Sequence, residues 1–352
     1  MPTIVQFTSP GVVELIDCAP QPLTPGTVRL ATWYSGISAG TELTAYRGSN
    51  PYLSKTWNPD ARMFTDGDPT FAYPVAGWGY SEVGQVVEVA GDVTSLKPGD
   101  VVHGIWGHRS EAVLRADLLA HRVMPPDVDP VAGTFARVGS IALNAVLAGE
   151  VRLGEQVAVF GQGVIGLLAT RLAVLSGATV AAIDALPTRL EVARRMGATH
   201  VVAADAPGGA GAVVRELTGG GVDSALEISG SDRALHEAIR SVLIEGIVVA
   251  SGFYQGGAAN VRLGEEFHHN RVRIVSSQIS GTPVPLGKRW DQPRLVAVFM
   301  SQVASGAVDV APLITDVVDA REVGSAFKRL DEGDPRVLQA ILRFDAAPAG
   351  RP

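Results

Sequence analysis

The stretch Val157-Ala158-Val159-Phe160-Gly161-Gln162-Gly163-Val164-Ile165-Gly166 decides the fold. Four apolar residues run as a strand into a glycine-spaced turn. An amphipathic helix leaves that turn, with Ile165, Leu168, Ala169, Leu172 and Leu175 on one face. In a chain with 40 glycines the spacing alone is weak; the strand before it and the helix after it give it weight. Gly161 permits the tight turn, Gly163 lets the backbone approach a pyrophosphate, and Gly166 allows close helix–strand packing. Gln162 completes the turn, and the N–H groups of Val164 and Ile165 face the phosphates with the helix dipole behind them. A second apolar strand, 179–183, ends in Asp184, near the expected interval of about 20 residues. A carboxylate there accepts ribose hydroxyls and repels a 2′-phosphate, so the expected cofactor is NAD(H). Arg189 has two readings, a second contact to that ribose or a solvated helix charge. A Rossmann-like unit that has lost its ligand is the remaining alternative for the turn.

Outward from this turn the pattern alternates. Strands are expected at 157–160, 179–183, 200–203, 224–228, 247–250 and 272–277, with helices at 164–175, 189–196, 210–217 and 233–243. Such alternation predicts an α/β unit, a doubly wound parallel sheet of Rossmann type. Upstream, short strands at 12–17, 27–34, 84–89 and 101–105 are separated by Pro25-Gly26, Ala90-Gly91-Asp92 and Lys97-Pro98-Gly99-Asp100, which predicts a β-rich domain. A helix at 293–305 and an α/β stretch to residue 344 are too short for a core of their own. The expected division is therefore 139–279 for the Rossmann domain and 1–138 with 280–352 for the β-rich one, the last residues from 346 fraying. Residues 52–73, with Trp57, Phe64, Phe71, Lys55 and Arg62 among Pro, Asp and Gly, read either as a solvated loop or as a lid over a substrate.

The 352 residues, 46% hydrophobic and 18% charged, describe a globular chain with room for a sizeable core. A formal charge of −7 without a basic stripe argues against nucleic-acid and acidic-membrane partners. The start, Met1-Pro2-Thr3-Ile4-Val5, lacks a charged segment followed by an apolar one. The most apolar stretch, 157–183, is broken by Gly161, Gly163, Gly166, Arg171 and Gly177, too often to span a bilayer. A cytoplasmic location is expected. Cys18 is the sole cysteine, so an internal disulfide and a Cys-rich zinc site are excluded.

Several further stretches carry a resemblance: Ser35-Gly36-Ile37-Ser38-Ala39-Gly40-Thr41-Glu42, Gly79-Tyr80-Ser81-Glu82-Val83-Gly84-Gln85-Val86, Ser95-Leu96-Lys97-Pro98-Gly99-Asp100 and Pro312-Leu313-Ile314-Thr315. Over nearly its whole length the chain resembles the medium-chain dehydrogenase/reductase family. The resemblance implies a GroES-like catalytic domain beside the Rossmann domain, hydride transfer as the chemistry, and a homodimer or homotetramer. Zinc-dependent members of that family carry a Cys just before Gly-Thr-Asp, a Gly-His-Glu, and a Cys or Glu ahead of the first Rossmann strand. Here the first motif reads Ser38-Ala39-Gly40-Thr41-Glu42, with one extra residue, the second reads Gly79-Tyr80-Ser81, and the third position falls near Arg137. Zinc takes thiolate, imidazole or carboxylate and a guanidinium repels it, so no catalytic zinc is expected. Within the family the Gly-Ile-Ser-x-Gly-Thr-Glu and Gly-Tyr pattern is similar to the bacteriochlorophyll-pathway dehydrogenase that oxidises a hydroxyethyl group. That likeness supports alcohol oxidation without transferring the porphyrin substrate.

The resemblance places Thr41 at a proton-relay hydroxyl, Glu42 at an acid behind it, and Tyr80 where the His ligand would stand. It puts Trp106 on an aromatic wall of the substrate pocket, with His108 just beyond; Arg137 and Trp57 join the substrate side. Without zinc, a general base and fixed donors must handle the alcohol proton. His108 has the ordinary pKa best suited to a base, and Tyr80 needs a cation such as Arg137 to lower its own. The expected machinery is therefore Tyr80, tuned by Arg137 or relayed through Thr41, together with His108. Blander readings stand beside it: His108 as an exposed turn residue, Tyr80 as a filler of the zinc space, Glu42 as a structural acid. His268 and His269 read as surface residues. The expected function is zinc-independent, NAD(H)-dependent interconversion of a small secondary alcohol and its ketone. The alternatives are a zinc-free NAD(P)H enone or quinone reductase, or a non-catalytic NAD-binding protein.

Overall fold

The structure is a computed structural model and describes residues 1–348; residues 349–352, within the tail expected to fray, lie outside the described residues. The chain forms two compact units, one of Met1–Arg137 with Val310–Pro352, the other of Val138–Asp309.

The first unit opens with β1 (Thr3–Ser9), β2 (Val12–Asp17) and β3 (Thr27–Gly36), followed by helix α1 (Ala39–Arg47). Next come β4 (Thr56–Asn58), β5 (Met63–Thr65), β6 (Val75–Ala76), β7 (Glu82–Val89), β8 (Val101–Gly104) and β9 (Glu111–Arg115). β3 is the hub: it pairs antiparallel with β7 and with β9, and its last five residues are a buried run. Between the sheet's faces Val28, Leu30, Val86, Val102, Trp106 and Leu119 form a core. α1 was not foreseen, because Ala39-Gly40-Thr41 carries little helical pattern. It forms because Leu43, Ala45 and Tyr46 bury against Phe327, and Gly48, at φ 75°, closes it in the left-handed conformation.

In the second unit, α2 (Ala136–Ala148) precedes β10 (Gln156–Phe160), α3 (Val164–Leu175), β11 (Thr179–Asp184), α4 (Pro187–Arg195), β12 (His200–Ala203) and α5 (Ala210–Leu217). β13 (Val222–Glu227), α6 (Asp232–Ser241), β14 (Val242–Ala250), β15 (Arg273–Ser276) and α7 (Gln292–Ala304) follow. The six strands run parallel in the order β12-β11-β10-β13-β14-β15, the doubly wound order that reverses beside β10. α3, α5 and β12 have the bounds read from the sequence, the other expected elements of this unit agree within about five residues, and α2 was not expected.

Residues 280–309 differ from expectation: they cluster with the second unit. The cause is packing. Phe299 on α7 is fully buried, and its ring occupies the space a Cβ on Gly139 of α2 would need, while Arg171 Nε donates to Ala307 O at 2.7 Å. The chain then returns to the first unit as β16 (Ile314–Asp319), α8 (Val323–Asp331) and β17 (Gln339–Arg343), with β17 completing the sheet on β3. Residues 52–73 are not a structureless loop. β4 and β5 form a hairpin, and Tyr52, Trp57 and Phe64 pack ring against ring with centroids 4.9 to 6.5 Å apart. Phe71 and Trp78 continue that run to Phe7 in the core.

Candidate active site

In the second unit the turn after β10 behaves as its glycines require. Gly161 sits at φ 90°, and a Cβ on Gly166 would lie 1.7 Å from Gly161 O, so only glycine fits there. A Cβ on Gly163 would meet nothing within 4 Å, so the backbone is open where a phosphate would approach. Gly163 also caps α3 without a side chain, leaving the first-turn N–H groups of Val164 and Ile165 available. Gln162 needs correction. Its side chain is buried, donating to Val159 O at 2.8 Å and accepting from Thr170, and its own N–H is taken by Asp184. It is a scaffold residue of the turn, not a phosphate contact.

Asp184 stands at the end of β11 with both oxygens oriented by backbone donors, Gln162 N at 2.6 Å and Leu186 N at 2.8 Å. With Gly161, Arg189, Ser229 and Arg233 it lines a cavity of about 520 Å³. Carboxylate oxygens have lone pairs to spare beyond these two bonds, so Asp184 can still accept ribose hydroxyls.

In the first unit three hydroxyls converge. Ser38 precedes α1 at the N-cap position but makes no side-chain cap; its Oγ instead hydrogen-bonds the Tyr80 hydroxyl. Tyr80 also donates to Thr41 Oγ1 at 3.4 Å. A serine at this position normally satisfies a helix N–H at a gain of about 1 kcal/mol. Ser38 forgoes that bond to hold a phenol. The tuning expected for Tyr80 runs the other way: burial, then the Glu42 charge, push its pKa above the ordinary value, and the Ser38 and Thr41 bonds and Arg137 pull down less. Arg137 is near enough to act on Tyr80, but as the smallest of these influences.

His108 is also corrected. It is neither an exposed turn residue nor a free base: it is fully buried, with Nε2 2.6 Å from Glu42 Oε2 and Nδ1 2.6 Å from Ser35 Oγ. Burial pushes its pKa down, but Glu42 and then Glu82 outweigh this and the net direction is upward. Ser35 Oγ in turn donates to Glu82 Oε1 at 3.1 Å. The Glu82 carboxyl accepts from Ser81 N at 3.1 Å and Trp106 N at 2.7 Å, and burial drives its pKa up. Glu42 reaches Ser38 N at 3.0 Å with its other oxygen. Trp106 is no pocket wall; it is 6% exposed in the core beneath the β3–β7–β8 sheet, with Nε1 bonded to Thr32 Oγ1 at 2.9 Å. Trp57 lies on β4 within the aromatic hairpin, partly exposed. Ser35 and Glu82 escaped the sequence reading. For Glu82 the available signal was a glutamate opening a valine-rich strand.

This donor set does not fit zinc. Zinc takes thiolate, imidazole or carboxylate, whereas around Tyr80 stand two aliphatic hydroxyls, a phenol held protonated by its surroundings, the Arg137 cation, and a Glu42 carboxylate whose oxygens are taken by His108 and Ser38 N. The nearby imidazole has both nitrogens engaged. Among the described residues, one group of His and carboxylate side chains lies close enough to share a metal, His236, Glu265 and Glu266, and it belongs to α6 and the segment after β14 in the second unit. His268 and His269 are exposed, as expected.

The chain is similar to known dehydrogenases along most of its length. A family described as zinc-binding dehydrogenase matches residues 164–291. D-guloside 3-dehydrogenase of Escherichia coli (strain K12) is 29% identical over 322 residues, 88% of this chain and 91% of the relative. L-threonine 3-dehydrogenase of Streptomyces coelicolor is 30% identical over 307 residues, 76% of this chain and 82% of the relative. The crystal structure of 2R,3R-butanediol dehydrogenase from Bacillus subtilis superposes with a TM-score of 0.79 at 22% identity, covering 97% of this chain and 99% of that one. These relatives support the broad family and not the narrower likeness to the bacteriochlorophyll-pathway branch. With a β-rich domain beside a doubly wound parallel sheet, the chain belongs to the medium-chain, zinc-type dehydrogenase/reductase superfamily and is an oxidoreductase of alcohol-dehydrogenase type.

Proposed function

We propose that this protein interconverts a secondary alcohol and its ketone with NAD(H), on a polyol or sugar-like substrate, and does so without zinc. The observation that carries this reading is that the serine at the N-cap position of α1 makes no cap and hydrogen-bonds the Tyr80 hydroxyl instead. A bound nicotinamide would take up or supply the hydride. The chain's own residues handle the proton. Burial and Glu42 keep the Tyr80 phenol protonated at rest. In alcohol oxidation its oxygen takes the substrate's O–H proton as its own proton passes to the Ser38 or Thr41 hydroxyl and on to solvent, and its hydrogen bond steadies the charge developing on the substrate oxygen. In ketone reduction the same phenol delivers the proton, and Ser38 and Thr41 hold its hydroxyl and can pass a proton on. Tyr80 and Thr41 are the catalytic residues of this reading, and Arg137, whose charge acts at Tyr80, is placed to bind a polar substrate. Trp57 offers a ring face for a sugar ring to pack on. Preference for NAD over NADP follows from the oriented Asp184 carboxylate, which repels a 2′-phosphate, with Arg189 lining the same cavity.

Sugar-like substrates are favoured because D-guloside 3-dehydrogenase resembles this chain over nine-tenths of its own length. The deciding experiment follows NADH formation across glycosides, sugar alcohols and diols while metal content is measured in the same preparation. Turnover that survives chelation, with zinc well below one per chain, supports the reading. Stoichiometric zinc whose removal abolishes turnover, or activity confined to NADPH and enones, overturns it. We further propose a homo-oligomer, since β15 ends the parallel sheet at an edge that no strand among the described residues pairs and that a second copy can extend.

A further inference from the structure

Glu42, Ser35, Glu82 and His108 come from α1, β3, β7 and the turn after β8, and all four side chains are sealed from solvent. The close contacts permit few proton arrangements. Ser35 has one proton and two neighbours, His108 Nδ1 at 2.6 Å and Glu82 Oε1 at 3.1 Å. Glu82 already accepts two backbone N–H groups, one on each oxygen, which oppose the burial that raises its pKa. With Glu82 ionised, Ser35 donates to it and accepts from Nδ1–H, while Nε2–H points at Glu42. In that state every contact is satisfied with both ring nitrogens protonated, whereas a protonated Glu82 would donate to Ser35 and leave Nδ1 an acceptor. Around the ring, Gly79 leaves no space for a Cβ, which would stand 2.9 Å from Nδ1, and Phe327 packs edge-on at 6.5 Å. The ring cannot turn away from its partners.

We propose that His108 is a positioning residue, an imidazolium that locks Glu42 beneath the first turn of α1 and so keeps the Ser38 hydroxyl turned toward Tyr80. The link is continuous: His108 to Glu42 Oε2, Glu42 Oε1 to Ser38 N, and Ser38 Oγ to the Tyr80 hydroxyl. Because Glu42 holds the Ser38 backbone, the serine does not need its side chain to fix the start of the helix. The role assigned here rests on the hydroxyl-cluster reading of the site, whereas the charge state of His108 does not.

Two measurements separate these. Nitrogen NMR of the whole protein labelled at its seven histidines, at pH 8.5, is expected to show one imidazole with both nitrogens protonated while exposed rings are neutral. His108→Gln should remove that signal; should the variant not fold, Ser35→Ala should shift it, because Nδ1 loses its partner. Absence of a doubly protonated ring, or a signal that ignores both substitutions, overturns the proposal without touching the proposed reaction. Glu42→Gln and Ser35→Ala are then compared on a substrate found for the wild type. The expected result is a kcat at least tenfold lower, KM for NAD+ within twofold, and a larger solvent deuterium isotope effect as proton handling becomes limiting. An unchanged isotope effect with parallel loss of kcat and thermal stability would mean a purely structural role.

Discussion

Glu42 Oε2 and His108 Nε2 meet at 2.6 Å, with the two side chains 1% and 0% exposed. Water screens neither charge, so the pair behaves as one unit. Removing one member strands the other in a low-dielectric interior at a cost of about 3–5 kcal/mol. His108→Ala and Glu42→Ala should each lower the denaturation midpoint of the whole chain accordingly, whereas Arg115→Ala at the exposed Arg115–Asp117 pair should leave it unchanged. Equal small effects at both sites would contradict the buried pairing.

The same unit sets a pH dependence. His108's folded pKa is raised, so its contribution to stability is full below the unfolded histidine value of about 6.5 and declines as pH climbs through the higher folded value. Glu82, also raised by burial, acts with the same sign. The stability difference between wild type and His108→Gln should therefore be largest in mildly acidic buffer and shrink toward pH 9. Denaturant titrations at several pH values measure it, and a difference that grows with pH would refute the assignment.

Two glycines of the phosphate turn should part company. Gly166→Ala drives a methyl into Gly161 O and should collapse the turn, seen as lost cofactor binding with a lower thermal midpoint. Gly163→Ala meets nothing and should leave the fold intact, yet weaken NADH by about tenfold or more, because the methyl occupies the phosphate approach. Fluorescence titration with NADH, beside circular dichroism, distinguishes them.

Ser38→Ala should cost little stability, since no helix cap is lost, while lowering turnover. Asp291→Ala, which removes a true cap on Arg294 N at 2.8 Å, should cost about 1 kcal/mol and leave turnover alone. Tyr80→Phe should reduce kcat by about 10²–10⁴-fold with NADH affinity unchanged. A fully active Tyr80→Phe enzyme would remove the phenol from the mechanism.

The sequence alone determined the dinucleotide half of this protein. Its signals are local: an apolar strand, three spaced glycines, a helical face and a terminal Asp184 all lie within about thirty consecutive residues, where backbone geometry and hydrophobic period leave one arrangement. The tertiary structure decided the other half. Ser35, Glu42, Glu82 and His108 are scattered over some seventy positions on separate elements, and only burial together makes their charges and protons interdependent. The same holds for Trp106, whose place in the core of the first unit depends on strands that pair at long range, and for residues 280–309, drawn to the second unit by Phe299 against Gly139. Patterns repeated along the chain announce themselves; a pocket assembled across it exists only once the sheets have closed.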